Sequence, residues 1–483
     1  MSEDQFFLNG IDGVTGEYLV PPMSAESVAR LIRPTADREQ SGWLKRVQSL
    51  FTRPFRGLPV DIDPTDVARA GWGVVVSPQT PSETLSALEP LIAHRRSQVL
   101  ADRCKTLEYR AGENMKDWLK RHGVYPGSVA PTKVPYYLLL IGDPESIPFD
   151  FQCLLDIEYA VGRLCFDLAD QYRLYAESVV DYEKAQAAPT SRQMVYWGTR
   201  HPRDRATEMS ADFLISPLHE GVPAAADQPE EKAIAGTQGF RSLCLKGREA
   251  TRARLSEVLR PPSGAGRPSF LFTASHGMGW PKGHQNQRAA QGALLCQDWS
   301  GFGAVRPGDY LSAADVDDDA RFQGLVAFMF ACYGAGTPRL DNYLSNRNQG
   351  PVPIADQGFI ASLPQRLLSH PQGGALAVIG HVERAWGCSI RPPGIGGPQL
   401  VPFRNCIGRI LLGQPVGHST RDISEKYAVL SGDLLQKLDQ TQGGASPSDE
   451  GLASTWSERN DAQNYIVLGD PAVRLAVNKL QAP

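Results

Sequence analysis

The chain has 483 residues, of which 21% are charged, with a net charge of -4 at pH 7 and a pI near 6.2. This balance argues against a general nucleic-acid binder, and no apolar run approaches the roughly 20 residues of a membrane span. The acidic start, MSEDQFFLNG, lacks the charged-then-apolar pattern of a secretion signal. We therefore expect a cytoplasmic protein with no nucleic-acid or membrane partner.

Short apolar runs alternate with helical patterns along the chain. Helices are expected at 81–100 and 169–186, and strands are expected within 71–77, 134–148, 160–167, 193–199, 241–247, 268–277, 325–334 and 374–382. Such alternation favours an α/β fold with a mostly parallel sheet flanked by helices. In sheets of this kind, ligands and chemistry lie at the carboxyl ends of the strands.

Two strands end on residues that can carry chemistry. The run LVAFMFA ends on Cys332 and turns at once through Tyr333-Gly334-Ala335-Gly336, while FLFTAS ends on His276 and Gly277. A buried structural cysteine does not need glycines around it, whereas a reactive one needs access. If the two strands are neighbours, His276 and Cys332 face each other at one edge of the sheet.

A cysteine and a histidine at this edge predict nucleophilic catalysis. A nearby imidazole can take the thiol proton or hold the thiolate as an ion pair. The backbone N–H groups of Gly277 and Cys332 could then donate to a developing oxyanion. The alternative is that His276 is an ordinary polar residue at a strand end, since one His and one Cys after strands also occur together by chance.

Metal and cofactor chemistry find little support in the sequence. The eight cysteines form no CxxC pair, which disfavours a zinc site. The acidic run DVDDD at 315–319 lacks the glycine and distal glutamate of a calcium loop and is interpreted as a solvated loop. We expect no metal and no cofactor.

The two motifs FLFTASHG and FMFACYG resemble those of the caspase-like (clan CD) cysteine peptidases. In caspases a histidine lies about 50 residues before a Gln-Ala-Cys-x-Gly motif, and here His276 lies 56 residues before Cys332, with Phe330 in place of the glutamine. The segments YYLLLIGDPESIPF, DIEYAVGRL and YIVLGDPAVRL are similar to the gingipain-like, prokaryotic caspase-like and CHAT-type branch.

This resemblance implies a domain organisation and an activity. It implies an amino-terminal α/β lobe at 1–188, with a basic insertion near 33–57, and a caspase-like catalytic domain at 189–483. The implied activity is cysteine endopeptidase action on protein or peptide substrates, through a His-Cys dyad and a thioester acyl-enzyme. The implied role is an effector in bacterial defence or cell death, latent until an upstream protein partner acts, for example by cutting within 33–57 or 388–400.

The resemblance also nominates residues of the substrate pocket. Trp386 corresponds to a tryptophan that walls the pocket, and the loop 198–212 corresponds to one that often supplies a charge. Asp204, Asp212 and Glu383 are acidic candidates there, which favours a basic P1 residue. Two other functions stay open: a catalytically silent interaction module, and a different cysteine-dependent acyl-transfer enzyme.

Overall fold

A ten-stranded, mostly parallel sheet lies at the centre of the protein. The computed structural model describes residues 5–33, 57–224, 230–262, 266–346, 350–391, 397–442 and 447–482. The strands of this sheet in chain order are β1 (Trp72–Val76), β2 (Cys104–Glu108), β3 (Tyr137–Ile141), β4 (Ala160–Leu164), β5 (Ser191–Gly198), β6 (Arg241–Lys246), β7 (Pro268–Ala274), β8 (Val326–Phe330), β9 (Ala377–His381) and β10 (Tyr465–Gly469). Their order in space is β6-β5-β7-β8-β9-β10-β4-β3-β1-β2.

Helices flank the sheet, so the α/β class predicted from the sequence is confirmed. The helices of six or more residues in the described chain are Ala25–Ile32, Ser82–Gln98, Met115–Arg121, Phe149–Leu155, Ala169–Lys184, Arg205–Ser210, Arg252–Leu259, Ser362–Leu368, Val401–Leu411, Arg421–Gln442 and Asp449–Gln463. No described helix is long and apolar enough to cross a membrane. Strands β7 and β8 are mostly apolar and are buried along their whole length, as is typical of strands covered on both faces.

The sheet consists of two parallel halves that run in opposite directions. Within each half neighbouring strands pair in parallel, whereas β9 and β10 pair antiparallel, with Ala377 opposite Gly469 and His381 opposite Tyr465. Strand β10 then pairs in parallel with β4. The carboxyl ends of β5 to β9 therefore lie at one edge of the sheet, and those of β1 to β4 and β10 lie at the other.

The two halves of the sheet do not coincide with the two predicted lobes. A boundary at 188/189 separates β4 from β5, but β10, from the carboxyl-terminal part of the sequence, joins the half that contains β1 to β4. The division into lobes at 1–188 and 189–483 stays a prediction. The basic insertion expected near 33–57 lies almost entirely outside the described residues, which omit 34–56.

A second, smaller sheet lies beside the carboxyl edge of β7. It has four short strands, Gly10–Asp12, Gly277–Gly279, Leu294–Leu295 and Tyr310–Leu311. Gly10–Asp12 pairs in parallel with Gly277–Gly279, so the amino-terminal segment is joined to the strand that directly follows His276. The sequence patterns contain no signal for this pairing.

A buried carboxylate anchors β10 in the middle of the large sheet. Asp470 follows β10, is fully buried, and accepts hydrogen bonds from Trp72 Nε1 at 2.9 Å and from Arg95 Nε at 2.6 Å. Arg95 is itself buried and also pairs with Glu183 at 2.7 Å. The carboxylate, through Arg95, thus joins β10, β1 and two helices by charge-assisted hydrogen bonds in a buried site.

Replacing Asp470 should strongly destabilise the fold. Asp470→Ala leaves the buried Arg95 guanidinium with one partner fewer, which we expect to cost about 3–5 kcal/mol of unfolding free energy. The matched control is Asp143→Ala, in the other Gly-Asp-Pro tripeptide, where an exposed carboxylate accepts from the Ser146 amide at 2.7 Å. That change should cost about 1 kcal/mol. Urea unfolding followed by tryptophan fluorescence checks both, and equal midpoint shifts would contradict the structural role of Asp470.

Candidate active site

His276 and Cys332 lie at the same edge of the large sheet because their strands are neighbours. Strands β7 and β8 pair in parallel with Ala274 opposite Phe330, and the Ser275 amide continues the ladder to the Phe330 carbonyl at 3.2 Å. The two following residues of each strand therefore leave the sheet side by side. The structure thus brings together the two residues that the sequence nominates as the dyad.

Gly277 lies directly against the backbone of Cys332. A Cβ atom placed on Gly277 would come within 1.8 Å of the Cys332 carbonyl oxygen and 2.7 Å of its amide nitrogen. No larger residue fits at this position without moving the backbone of Cys332. The two residues nominated as oxyanion donors are therefore in contact.

The Cys332 thiol is closed off in this structure. Its side chain is 0% exposed, and its sulfur accepts a hydrogen bond from the Ala385 amide at 3.1 Å. Burial raises the pKa of the thiol well above its usual value. The hydrogen bond from the Ala385 amide and the charge of Arg384 lower this pKa, but by less than burial raises it. No hydrogen bond between the thiol and His276 is present among the described residues. The dyad expected from the sequence is therefore not an activated pair in this state.

His276 is held from one side by Asp204. The distance from His276 Nε2 to Asp204 Oδ2 is 2.6 Å, and the imidazole is 0% exposed. Thr207 Oγ1 donates to the same carboxylate at 2.8 Å, and the Tyr18 hydroxyl donates to its other oxygen. Burial would raise the pKa of Asp204, but His276 and these hydrogen bonds hold that pKa well below its ordinary range. The carboxylate therefore stays ionised.

The contact with Asp204 determines which nitrogen of His276 can act as a base. Because an ionised carboxylate accepts a proton on Nε2, the neutral imidazole keeps its lone pair on Nδ1. Nδ1 is buried and has no hydrogen-bond partner among the residues that the structure describes. The sequence nominates Asp204 as a pocket residue, and in the structure its carboxylate contacts the His276 imidazole.

Two strained residues lie next to these side chains. Among the described residues other than glycine, positive φ angles occur at Arg203, with φ 65°, and Tyr333, with φ 57°. Arg203 precedes Asp204, and Tyr333 follows Cys332. Such conformations cost about 1–3 kcal/mol each and cluster at functional sites, so the backbone is strained where it orients the carboxylate and the thiol.

The other nominated pocket residues have partners within the chain, and their role in a pocket stays a prediction. Asp212 pairs with Arg200 at 3.0 Å, and both side chains are more than one third exposed. Glu383 is buried and pairs with Arg384 at 3.0 Å. Trp386 packs edge-on against Tyr343 and Trp456.

The acidic run at 315–319 is engaged in ion pairs with arginines. Asp317 pairs with Arg260 at 2.9 Å, and Asp315 and Asp318 pair with Arg252 and Arg366. Within the described ranges, no group of three or more His, Cys, Asp or Glu residues is arranged to hold a metal ion.

An amino-terminal segment, residues 6–19, covers the site, which the sequence patterns did not indicate. Leu8 forms a β-bridge with Trp386, and Asn9 is 1% exposed. A Cβ atom added to Gly10 would lie 3.0 Å from the Cys332 sulfur. The Tyr18 ring meets the His276 ring edge-on at 5.5 Å. The chain's own residues thus keep solvent away from His276 and Cys332.

Comparison with known proteins gives remote structural likenesses. No protein-family model and no curated protein sequence matches the chain. The chain is similar to a crystal structure of the Arg-specific cysteine proteinase gingipain R, with 12% identity, a TM-score of 0.47, and coverage of 86% of this chain and 80% of that one. It is similar to a structure described as a protease, with 13% identity, a TM-score of 0.47, and coverage of 84% and 78%. It is also similar to a complex of Porphyromonas gingivalis RgpB pro- and mature domains, with 12% identity, a TM-score of 0.43, and coverage of 84% and 80%.

The closed thiol predicts slow alkylation in the intact chain. Because burial raises the pKa of Cys332, the thiolate fraction at pH 7 falls below that of a free cysteine. Iodoacetamide should therefore modify Cys332 more slowly than the partly exposed Cys104 and Cys244. Peptide mass spectrometry over a time course measures the rates. If Cys332 reacts first in the native chain, the closed state described here is contradicted.

Proposed function

We propose that this chain is a cysteine endopeptidase in which Cys332 is the nucleophile and His276 is the base. The observation that carries the proposal is the arrangement at the ends of β7 and β8, where His276 and Cys332 leave neighbouring strands at one edge. Asp204 binds Nε2 of the imidazole at 2.6 Å. This leaves Nδ1 as the atom that can accept the thiol proton.

Each step of the proposed reaction uses groups of this chain. His276 Nδ1 takes the proton of the Cys332 thiol, and the thiolate attacks the carbonyl carbon of the substrate. The N–H groups of Gly277 and Cys332 donate to the oxyanion that forms. The tetrahedral species collapses as the imidazolium gives its proton to the leaving amine, and a thioester remains. Water then hydrolyses the thioester and regenerates the thiol.

Latency is part of the proposal, because the closed thiol must become accessible before it reacts. An upstream protein partner is the proposed trigger, and a role in bacterial defence or cell death follows from the sequence resemblance. The proposed cutting sites at 33–57 and 388–400 are described only in part, since 34–56 and 392–396 lie outside the described residues. Both remain sequence-based predictions.

The preference for a basic P1 residue also remains a sequence-based prediction. Each carboxylate nominated for it already has a partner within the chain: Asp204 binds His276, Asp212 binds Arg200 and Glu383 binds Arg384. A fluorogenic peptide library that varies the P1 residue tests this preference.

The two alternative functions differ in their response to an activity probe. A peptidyl acyloxymethyl ketone alkylates the cysteine of a working peptidase. A silent interaction module would leave Cys332 unlabelled, and another acyl-transfer enzyme would not hydrolyse the matching peptide. Labelling of Cys332 together with peptide hydrolysis supports the peptidase.

Removal of either dyad residue should remove hydrolysis. Cys332→Ala should abolish turnover because one sulfur carries the covalent step. His276→Ala should lower kcat/KM by about 10²–10⁴-fold, and the double variant should be no worse than Cys332→Ala, since the two residues act as a unit. Cys406→Ala is the matched control, because Cys406 is buried in the helix Val401–Leu411. Full turnover by Cys332→Ala would exclude the proposed function.

Asp204→Asn tests the positioning role of the carboxylate. The amide keeps the size of the side chain but no longer favours a proton on Nε2, so kcat should fall by about 10²-fold or more while KM changes little. Asp317→Asn, on the surface pair with Arg260, is the matched control. Equal kcat values for the two variants would contradict this role.

A further inference from the structure

The amino-terminal segment lies in the cleft in the manner of a bound substrate. The Asn9 amide donates to the Ala385 carbonyl at 2.8 Å, and the Gly387 amide donates to the Phe7 carbonyl at 3.1 Å. Leu8 lies opposite Trp386 in an antiparallel bridge. An extended peptide that adds to an exposed strand edge is held by main-chain hydrogen bonds of this kind, with alternate side chains entering pockets.

The Asn9 carbonyl lies where a scissile carbonyl would lie. Its oxygen accepts a hydrogen bond from the Gly277 amide at 3.3 Å, and Gly277 is one of the two nominated oxyanion donors. Gly10, the next residue, pairs with Gly277 and approaches Cys332 so closely that an added Cβ would lie 3.0 Å from the sulfur. The thiol and the oxyanion donor thus both meet the chain at the Asn9–Gly10 peptide unit.

The Asn9 side chain is buried in a site that offers it a hydrogen-bond acceptor. It is 1% exposed, and its Nδ2 donates to the Ser275 carbonyl oxygen at 2.7 Å. Its Oδ1 is buried without a partner among the described residues, so an aspartate would bring an uncompensated negative charge against a carbonyl. An arginine would bring a buried positive charge, and the three nominated carboxylates are engaged elsewhere.

Glycine is required after the asparagine in this arrangement. A Cβ atom on Gly10 would lie 2.6 Å from Leu19 Cδ1 in addition to its contact with the Cys332 sulfur. Leu19 belongs to the returning arm of a hairpin, and its amide donates to the Gly10 carbonyl at 3.0 Å. The Asn9 side chain therefore matches the hydrogen-bonding groups of the cleft, and Gly10 fits the narrow space beside Leu19 and Cys332.

We infer that residues 6–12, FFLNGID, are an intramolecular occupant of the substrate cleft, and that the cleft selects asparagine as the P1 residue. This inference rests on the proposed peptidase function and names its substrate class. The sequence resemblance favours an acidic pocket for a basic P1 residue. The pocket inferred here is neutral, and a main-chain carbonyl in it recognises the primary amide of the P1 side chain.

Labelling of Cys332 in the full-length chain tests the inference. The probes are two acyloxymethyl ketones, one carrying Phe-Leu-Asn and one carrying Phe-Leu-Arg, and intact-mass spectrometry measures the rates. Asn9→Arg should displace the segment, so the Phe-Leu-Asn ketone should label this variant at least about tenfold faster than wild type, because labelling follows the fraction of open clefts. Asn478→Arg, at an exposed asparagine, is the matched control and should label like wild type.

Gly10→Ala is a second opening variant that keeps Asn9, in case Asn9→Arg does not fold. The added methyl group should clash with Leu19 and the Cys332 sulfur and so displace the segment. The Phe-Leu-Asn ketone should therefore label this variant faster than wild type. Equal rates in wild type and both folded variants would overturn the occupancy of the cleft. If the Phe-Leu-Arg ketone labels an opened variant faster than the Phe-Leu-Asn ketone does, the inference that the cleft selects asparagine is overturned. The proposed peptidase function is then still supported. If neither ketone labels Cys332 in a folded, opened variant that iodoacetamide does modify, the proposed peptidase fails and this inference fails with it.

Discussion

The parallel register between β7 and β8 is the constraint on which the candidate site depends. With Ala274 opposite Phe330, the residues that follow these strands emerge together, and their side chains and amides share one small volume. A slip of one residue would turn every side chain of a strand to the opposite face. Both strands are buried along their whole length, so such a slip would move buried side chains out of the places that they fill in the core.

The strand ends could be predicted from the sequence because the local signals there are strong. The apolar runs before His276 and Cys332 are interrupted at once by polar residues and glycines, and the structure ends both strands at those places. The α/β alternation likewise follows from local periodicity. The pairing partner of each strand is harder to predict from the sequence. The antiparallel contact between β9 and β10, for example, joins residues that are far apart in the chain.

The partner of His276 could not be singled out from the sequence. Asp204 stands among several charged residues of the loop 198–212, and no local pattern distinguishes it from Asp212. The difference is three-dimensional: the backbone at Arg203 adopts a positive φ, and the short helix Arg205–Ser210 then begins just after the carboxylate. The cover formed by residues 6–19 was missed for a similar reason, since strands of two or three residues have almost no periodicity to detect.

The position of β10 has a consequence for how the protein is made. A growing chain leaves the ribosome from its amino terminus at about 5–20 residues per second, and the strand that joins the two halves of the sheet comes from Tyr465–Gly469. Until that strand is synthesised, β9 and β4 each expose a side that the finished sheet covers. The nascent chain therefore passes through a stage with two unpaired strand edges, and such edges are a template for pairing with other chains.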